Sequence, residues 1–203
     1  MQEVPTTLAP IWRGAASLVL ASRSESRRAL LSAAGLDAEV VAPGVDERAL
    51  EERHLARGGS LESLAAELAC AKALAVSAER LDAYCIGADQ TLTFEGRVLH
   101  KASDFAEAAQ TLATLAGKTH RLTSAFCVAR ARQALVVHRD HADVRMRVLD
   151  PARRACQNRE SARLCERRAD LLTLKRKEST MLYRNIAEAL LYAALAIVQF
   201  WRS

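Results

Sequence analysis

Ser22, Ser24 and Ser26 alternate with Arg23 and Glu25 and run directly into Arg27-Arg28. An apolar run of strand length, Leu18-Val19-Leu20-Ala21, stands before them, and Ala29-Leu30-Leu31-Ser32-Ala33-Ala34 stands after them. Such a stretch reads as a strand feeding a helix through a serine-rich turn, with Gly35 closing the helix at its C-cap. The first-turn N–H groups of a helix are unpaired and its dipole favours negative charge there, so the turn is a ready anion site. Arginine adds forked donors that suit phosphate. A capped surface helix with solvated arginines is the alternative.

Other candidates lie further along the chain. Asp89 follows Ile86-Gly87-Ala88 at the expected C-terminal end of a strand, a common place for chemistry in α/β proteins. Glu47 comes just past the Pro43-Gly44 turn, in Val45-Asp46-Glu47. Lys72 sits beside the apolar face of a helix, where a lysine usually packs its stem and leaves its ammonium in water. Lys101 follows a hairpin. His138-x-x-His141 with Asp140 and Asp143 resembles a metal motif on paper, but strand alternation puts His138 and His141 on opposite faces. No P-loop or dinucleotide fingerprint is present, nor a Ser-His-Asp arrangement that spacing supports.

The elements that must hold these residues can be read from punctuation and period. A second strand is expected near Ala38–Ala42, then a short helix or loop over 48–59. Ser60 caps a helix through about Arg80, with Leu61, Leu64, Leu68, Ala71 and Ala75 at helical spacing. A third strand covers Ala83–Gly87. Thr91–Phe94 and Arg97–Leu99 form a hairpin around Glu95-Gly96. Asp104 caps a helix through Leu115, ending at Gly117, and strands follow near Arg121–Ala129, Ala134–His141 and Asp143–Arg147. Strands alternating with helices mean α/β.

Composition sets the bounds. The 203 residues carry a net charge of +5, but residues 151–203 hold 11 Lys+Arg against 5 Asp+Glu, which leaves −1 for the rest. All eight glycines lie at or before Gly117. The chain therefore divides into a loose N-terminal arm over 1–16, an α/β domain over 17–150 and a basic helical tail over 151–203. A helical apolar stripe in the tail runs through Ile186, Leu190, Leu191, Ala194, Ile197 and Val198. The run Ala189–Val198 is too short to span a bilayer, so no membrane span is expected. The first residues read as an arm rather than a secretory signal, since Glu3 precedes any cationic region. Five cysteines with no C-x-x-C pair suit a reducing cytoplasm.

Together these motifs resemble the Maf family of nucleoside triphosphate pyrophosphatases. The matching pieces are Leu20-Ala21-Ser22-Arg23-Ser24 with Arg27-Arg28-Ala29-Leu30-Leu31, Val45-Asp46-Glu47, Ala71-Lys72-Ala73, Ile86-Gly87-Ala88-Asp89-Gln90, Lys101, and Leu115-Ala116-Gly117-Lys118-Thr119-His120. The resemblance covers about residues 17–150. It implies a mixed twisted sheet flanked by helices, like that of the inosine triphosphate pyrophosphatases. It also implies a cytoplasmic, usually dimeric hydrolase that cuts a nucleoside triphosphate to the monophosphate and pyrophosphate, with a divalent cation, Mg²⁺ or Mn²⁺, as cofactor. Position by position, it makes Asp89 the proton acceptor, with Glu47 and Lys101 beside it in the catalytic set. Ser22, Ser24, Arg27, Lys72 and Lys118 go around the phosphates, and Glu47 and Asp89 become the carboxylates for the metal. Ser26 and Gln90 fall where the family chooses its base. Gln90 looks like the branch that prefers 7-methyl-GTP, whereas Ser26 offers neither the arginine nor the tryptophan the family carries there.

The family's second half normally holds a segment resembling G-A-Y-Q-x-E-G, and none follows Pro151. A frameshift, a replaced tail and plain divergence would each produce that departure, and weak activity would follow from it. The rival to an active pyrophosphatase is a non-catalytic nucleotide-binding or regulatory remnant of the family. A nucleic-acid-binding tail ranks last, because acidic residues interrupt the basic ones and no aromatic series stands before Tyr183.

Overall fold

The computed structural model describes residues 12 and 14–148. The expected tail over 151–203, its helix included, and most of the N-terminal arm lie outside the described residues. Ten elements follow in order: β1 (Leu18–Ala21), α1 (Glu25–Ala33), β2 (Glu39–Val40), α2 (Glu47–Ala56), α3 (Leu61–Glu79), β3 (Tyr84–Phe94), β4 (Arg97–Leu99), α4 (Phe105–Leu115), β5 (Thr119–Arg130) and β6 (Gln133–Arg145). The strands form a mixed sheet in the order β2-β1-β3-β5-β6, with β4 on β3. The expected α/β class and mixed sheet are therefore present.

The chain divides into two compact units. The first takes its described residues from 12–90 and 123–140, the second from 91–122 and 141–148. In the first unit, β1 pairs in parallel with β2 and with β3, in a register that sets Leu20 opposite Ile86 and Ala21 opposite Gly87. All four residues of β1 are buried, as befits a parallel strand covered on both faces. Alternation sorts the side chains. Leu18, Leu20, Tyr84, Ile86, Phe126 and Val128 pack with Leu31 of α1 and with Leu36. On the other face, Val19, Ala21 and Cys85 meet Val76 of α3, and Ala125, Cys127 and Ala129 meet Ala65, Ala69 and Ala73. Trp12 packs edge-on against Tyr84, with ring centroids 5.5 Å apart.

Caps mark the helix starts. Ser24, Asp46, Ser60 and Asp104 each accept a backbone N–H three residues on. Asp46 caps α2, so the stretch over 48–59, open between helix and loop in the sequence, is helical through Ala56. In the second unit, β3 and β4 form the expected hairpin, with Phe94 opposite Arg97. Glu95 and Gly96 both take positive φ, as a tight two-residue turn requires. The β5–β6 turn uses the same left-handed pair at Ala131 and Arg132, where no glycine signals it. There the Arg132 N–H donates to Ser77 Oγ of α3 at 3.1 Å.

Candidate functional site

Gly87 sets the geometry of the site. A Cβ at Gly87 would overlap the Ala69 carbonyl oxygen and come within 2.6 Å of the Ala73 nitrogen. With glycine in the strand and alanines in the helix, α3 lies directly on the backbone of β3. That contact brings Lys72 of α3 over Asp89, the second residue past Gly87. Lys72 is 4% exposed and Asp89 9%, and the ammonium donates to Asp89 Oδ1 at 3.0 Å. The expectation of a solvated Lys72 is thereby corrected: the close approach of helix to strand buries its whole side chain.

Two further groups join this pair. Glu47, the first residue of α2, places Oε1 2.9 Å from Lys72 Nζ. Arg27 reaches Asp89 Oδ1 with Nη2 at 3.3 Å and Ser22 Oγ with Nη1 at 3.2 Å. Ser22 is buried in the turn after β1 and accepts the Ser24 N–H, while Ser24 caps α1 through the Arg27 N–H. Ser24 and Ser26 share a hydroxyl contact at 2.9 Å. A cleft of about 320 Å³ opens beside these groups, lined by Ser22, Arg23, Ser24, Arg27, Glu47, Lys72 and the Pro43–Val45 turn. The starts of α1 and α2 both border it, so two helix N-termini face one cavity, an arrangement that favours an anion.

Asp89 also requires a correction. It does not end its strand, because β3 runs on unbroken to Phe94. The neighbouring β1 stops at Ala21, opposite Gly87, so Asp89 stands two residues beyond the parallel pairing. The short strand beside it opens the edge that the sequence assigned to β3 itself.

Of the expected site residues, Ser22, Ser24, Ser26, Arg27, Glu47, Lys72, Asp89 and Gln90 all lie in the first unit, and Lys101 and Lys118 lie in the second. Lys101 is exposed in the coil after β4. Lys118 pairs with Glu95 at 3.3 Å and lies 5.0 Å from the centre of the Phe94 ring. Arg28, adjacent to Arg27 in sequence, lines a different cavity with Leu31, Leu36 and Glu39. Arg23 lines the main cleft, a role the spacing did not assign to it.

No group of three His, Cys, Asp or Glu side chains able to hold a metal occurs among the described residues, the His138–Asp143 stretch included. Glu47 and Asp89 do converge on one ammonium, and every described hydrogen bond to Asp89 falls on Oδ1. Mg²⁺ is commonly held by one or two carboxylates, with substrate phosphates and water completing the shell. The donor pair fits that pattern.

A parallel-sheet edge carrying a serine–arginine turn, a buried lysine and two carboxylates is, in an α/β protein, an arrangement that suits a phosphorylated ligand. The chain belongs to the Maf-like protein family, whose model matches residues 17–157. It is similar to a 7-methyl-GTP pyrophosphatase of Mesorhizobium japonicum, 45% identical over 134 residues, or 66% of this chain and 67% of that one. A protein of the same name from Rhizobium meliloti is 45% identical over 65% of this chain and 66% of its own. A nucleoside triphosphate pyrophosphatase of Nitrobacter winogradskyi is 43% identical over 59% and 58%. The chain thus spans about two thirds or less of the length of these curated relatives.

Proposed function

We propose that this chain hydrolyses a nucleoside triphosphate to the monophosphate and pyrophosphate. The observation that carries the reading is the shared carboxylate: Asp89 Oδ1 is held by both Lys72 and Arg27 beside the Ser22–Ser24 turn. Two cations and two carboxylates balance one another before substrate arrives. A triphosphate brings about four negative charges and competes for Arg27 and Lys72, with charge-assisted hydrogen bonds as the reward. The N-termini of α1 and α2 and the Ser22 hydroxyl supply further donors. Drawing the cations onto phosphate frees Asp89 to orient a water and accept its proton. Glu47 and Asp89 would hold a divalent cation, which when bound polarises phosphate oxygens and neutralises developing charge. From the family resemblance, Lys101 and Lys118 are proposed to contact phosphate as well.

The names of the relatives support 7-methyl-GTP as the substrate to test first. We place the protein in the cytoplasm. Cys70, Cys85 and Cys127 are free thiols, and no described helix is long and apolar enough to cross a membrane. A homodimer and a weakened turnover belong to the same proposal. The second rests on the change of charge after Pro151, near the end of the family match at 157. A panel of nucleoside triphosphates with Mg²⁺ or Mn²⁺, scored for pyrophosphate, tests the whole reading. Tight triphosphate binding without pyrophosphate release would favour a non-catalytic remnant instead.

A further inference from the structure

The charges of the cluster beside the cleft are already paired. Lys72 is held by Glu47 at 2.9 Å and by Asp89 at 3.0 Å, and Arg27 is held by Asp89 at 3.3 Å. Two positive and two negative charges cancel there. Arg23 lines the same cleft and stands outside this balance. It is exposed, and among the described residues its guanidinium has neither a hydrogen bond nor an ion pair. Arg28, five residues on, differs in both respects. It lies 4.0 Å from Glu25 and lines the other cavity. Arg23 is thus the cation that gives the cleft a net positive charge among the described residues.

The cleft also has an inner part and a rim. Ser22 and Lys72 are buried and form the inner part, whereas Arg23 is exposed and belongs to the rim. A single phosphate on the inner donors, at the Ser22 hydroxyl and the start of α1, uses the groups described above. A chain of phosphates anchored there has further charge to place nearer the opening. Arg27 and Lys72 each give up a carboxylate when they take a phosphate. Arg23 gives up only water, and its planar fork can take two phosphate oxygens at once. We propose that Arg23 is a specificity-determining residue for phosphate-chain length. It holds the outer part of a di- or triphosphate whose first phosphate sits at the Ser22–Ser24 turn. The inference rests on the nucleotide reading above and deepens it by giving a substrate contact to a residue outside the ion-pair cluster.

Inorganic orthophosphate and tripolyphosphate make the test, because they differ in chain length and carry no base. Their affinities should be measured by calorimetry for the wild type, Arg23→Gln, Arg23→Lys and Arg28→Gln. One charge-assisted contact corresponds to about tenfold in affinity. Arg23→Gln should therefore weaken tripolyphosphate about tenfold and leave orthophosphate nearly unchanged. Arg23→Lys keeps the charge without the fork and should fall between Arg23→Gln and the wild type. Arg28→Gln removes the same charge from outside the cleft and should leave the affinity ratio of the two ions at its wild-type value. The position is exposed, so thermal melts of the Arg23 variants should match the wild type. Equal losses in Arg23→Gln and Arg28→Gln reduce the effect to net charge and overturn the assignment. Equal losses for the two ions in Arg23→Gln overturn the chain-length role, and so does a wild type that does not bind tripolyphosphate. The hydrolase reading stands or falls separately, on pyrophosphate release in the nucleoside triphosphate panel. An Arg23-dependent preference for tripolyphosphate in a protein that releases no pyrophosphate counts against that reading and supports this one.

Discussion

The two faces of the sheet are built from different materials. The α1 face is filled by Leu18, Leu20, Leu31, Tyr84, Ile86, Phe126 and Val128. Opposite them, the α3 face is lined chiefly by Ala65, Ala69, Ala73, Ala125, Cys127 and Ala129, with Gly87 beneath the helix. Large side chains bury more apolar area, so the first face contributes more of the stability. Small ones let a helix axis approach a strand, and here that approach carries Lys72 to Asp89. One face chiefly holds the unit together, and the other sets a distance.

The largest effect should come from Asp89→Asn, which keeps the shape but cannot accept a proton. Loss of a general base costs ~10²–10⁴-fold in turnover. Steady-state pyrophosphate release checks it, with triphosphate affinity by calorimetry largely kept; near wild-type turnover would remove Asp89 from the chemistry.

On the α1 face, Leu18→Ala should cost about 2–5 kcal/mol of stability by leaving a cavity. Leu18 begins β1, at the end away from Ser22, so turnover per folded molecule should hold. Denaturant melts paired with activity at low temperature would expose any coupling between core and site.

Gly87→Ala is the opposite experiment. The added methyl overlaps the α3 backbone and should destabilise by about 1–3 kcal/mol, the usual range for overpacking. Because the helix must shift, activity should fall further than stability accounts for. Equal losses in Gly87→Ala and Leu18→Ala would dissolve the contrast between the faces.

Arg27 is a quarter exposed, so its contribution is smaller. Arg27→Ala should weaken triphosphate binding about tenfold and leave nucleoside binding nearly unchanged. Matched calorimetric titrations with the two ligands decide it.

The smallest effect concerns the second unit. His120 is buried with no partner for Nδ1 among the described residues, and desolvation holds its pKa below the ordinary 6.5. The folded protein binds that proton less readily than the unfolded chain. Its stability contribution is therefore present above pH ~6.5 and declines as pH falls below that value. Chemical melts across this range should show the decline, and His120→Gln should flatten it.

Much of this was legible in order along the chain. The caps Ser60 and Asp104, the serine-rich turn before α1, the Glu95-Gly96 turn and the apolar runs of β1 and β3 are local signals, and local sterics and hydrogen bonding settle them. The helix of α2 was not, because its faces are weakly segregated and Asp46 read as part of an acidic pair. Nor was the Ala131-Arg132 turn, which needs positive φ without glycine and is tied to Ser77, 55 residues away in sequence.

By itself the sequence determined the α/β alternation, the phosphate-suited turn at Ser22–Arg28 and the set of residues that resemble the Maf-like family. Tertiary structure alone decided that Lys72 is buried, that Arg27 rather than Arg28 reaches Asp89, and that Gln90 leans on Ser124. The physical reason is common to all three. Residue type and spacing specify which groups are available, but an ion pair or a side-chain hydrogen bond depends on ångström-scale separations between elements. Those separations follow from packing, from a glycine under a helix and from β1 ending opposite Gly87, two residues before Asp89.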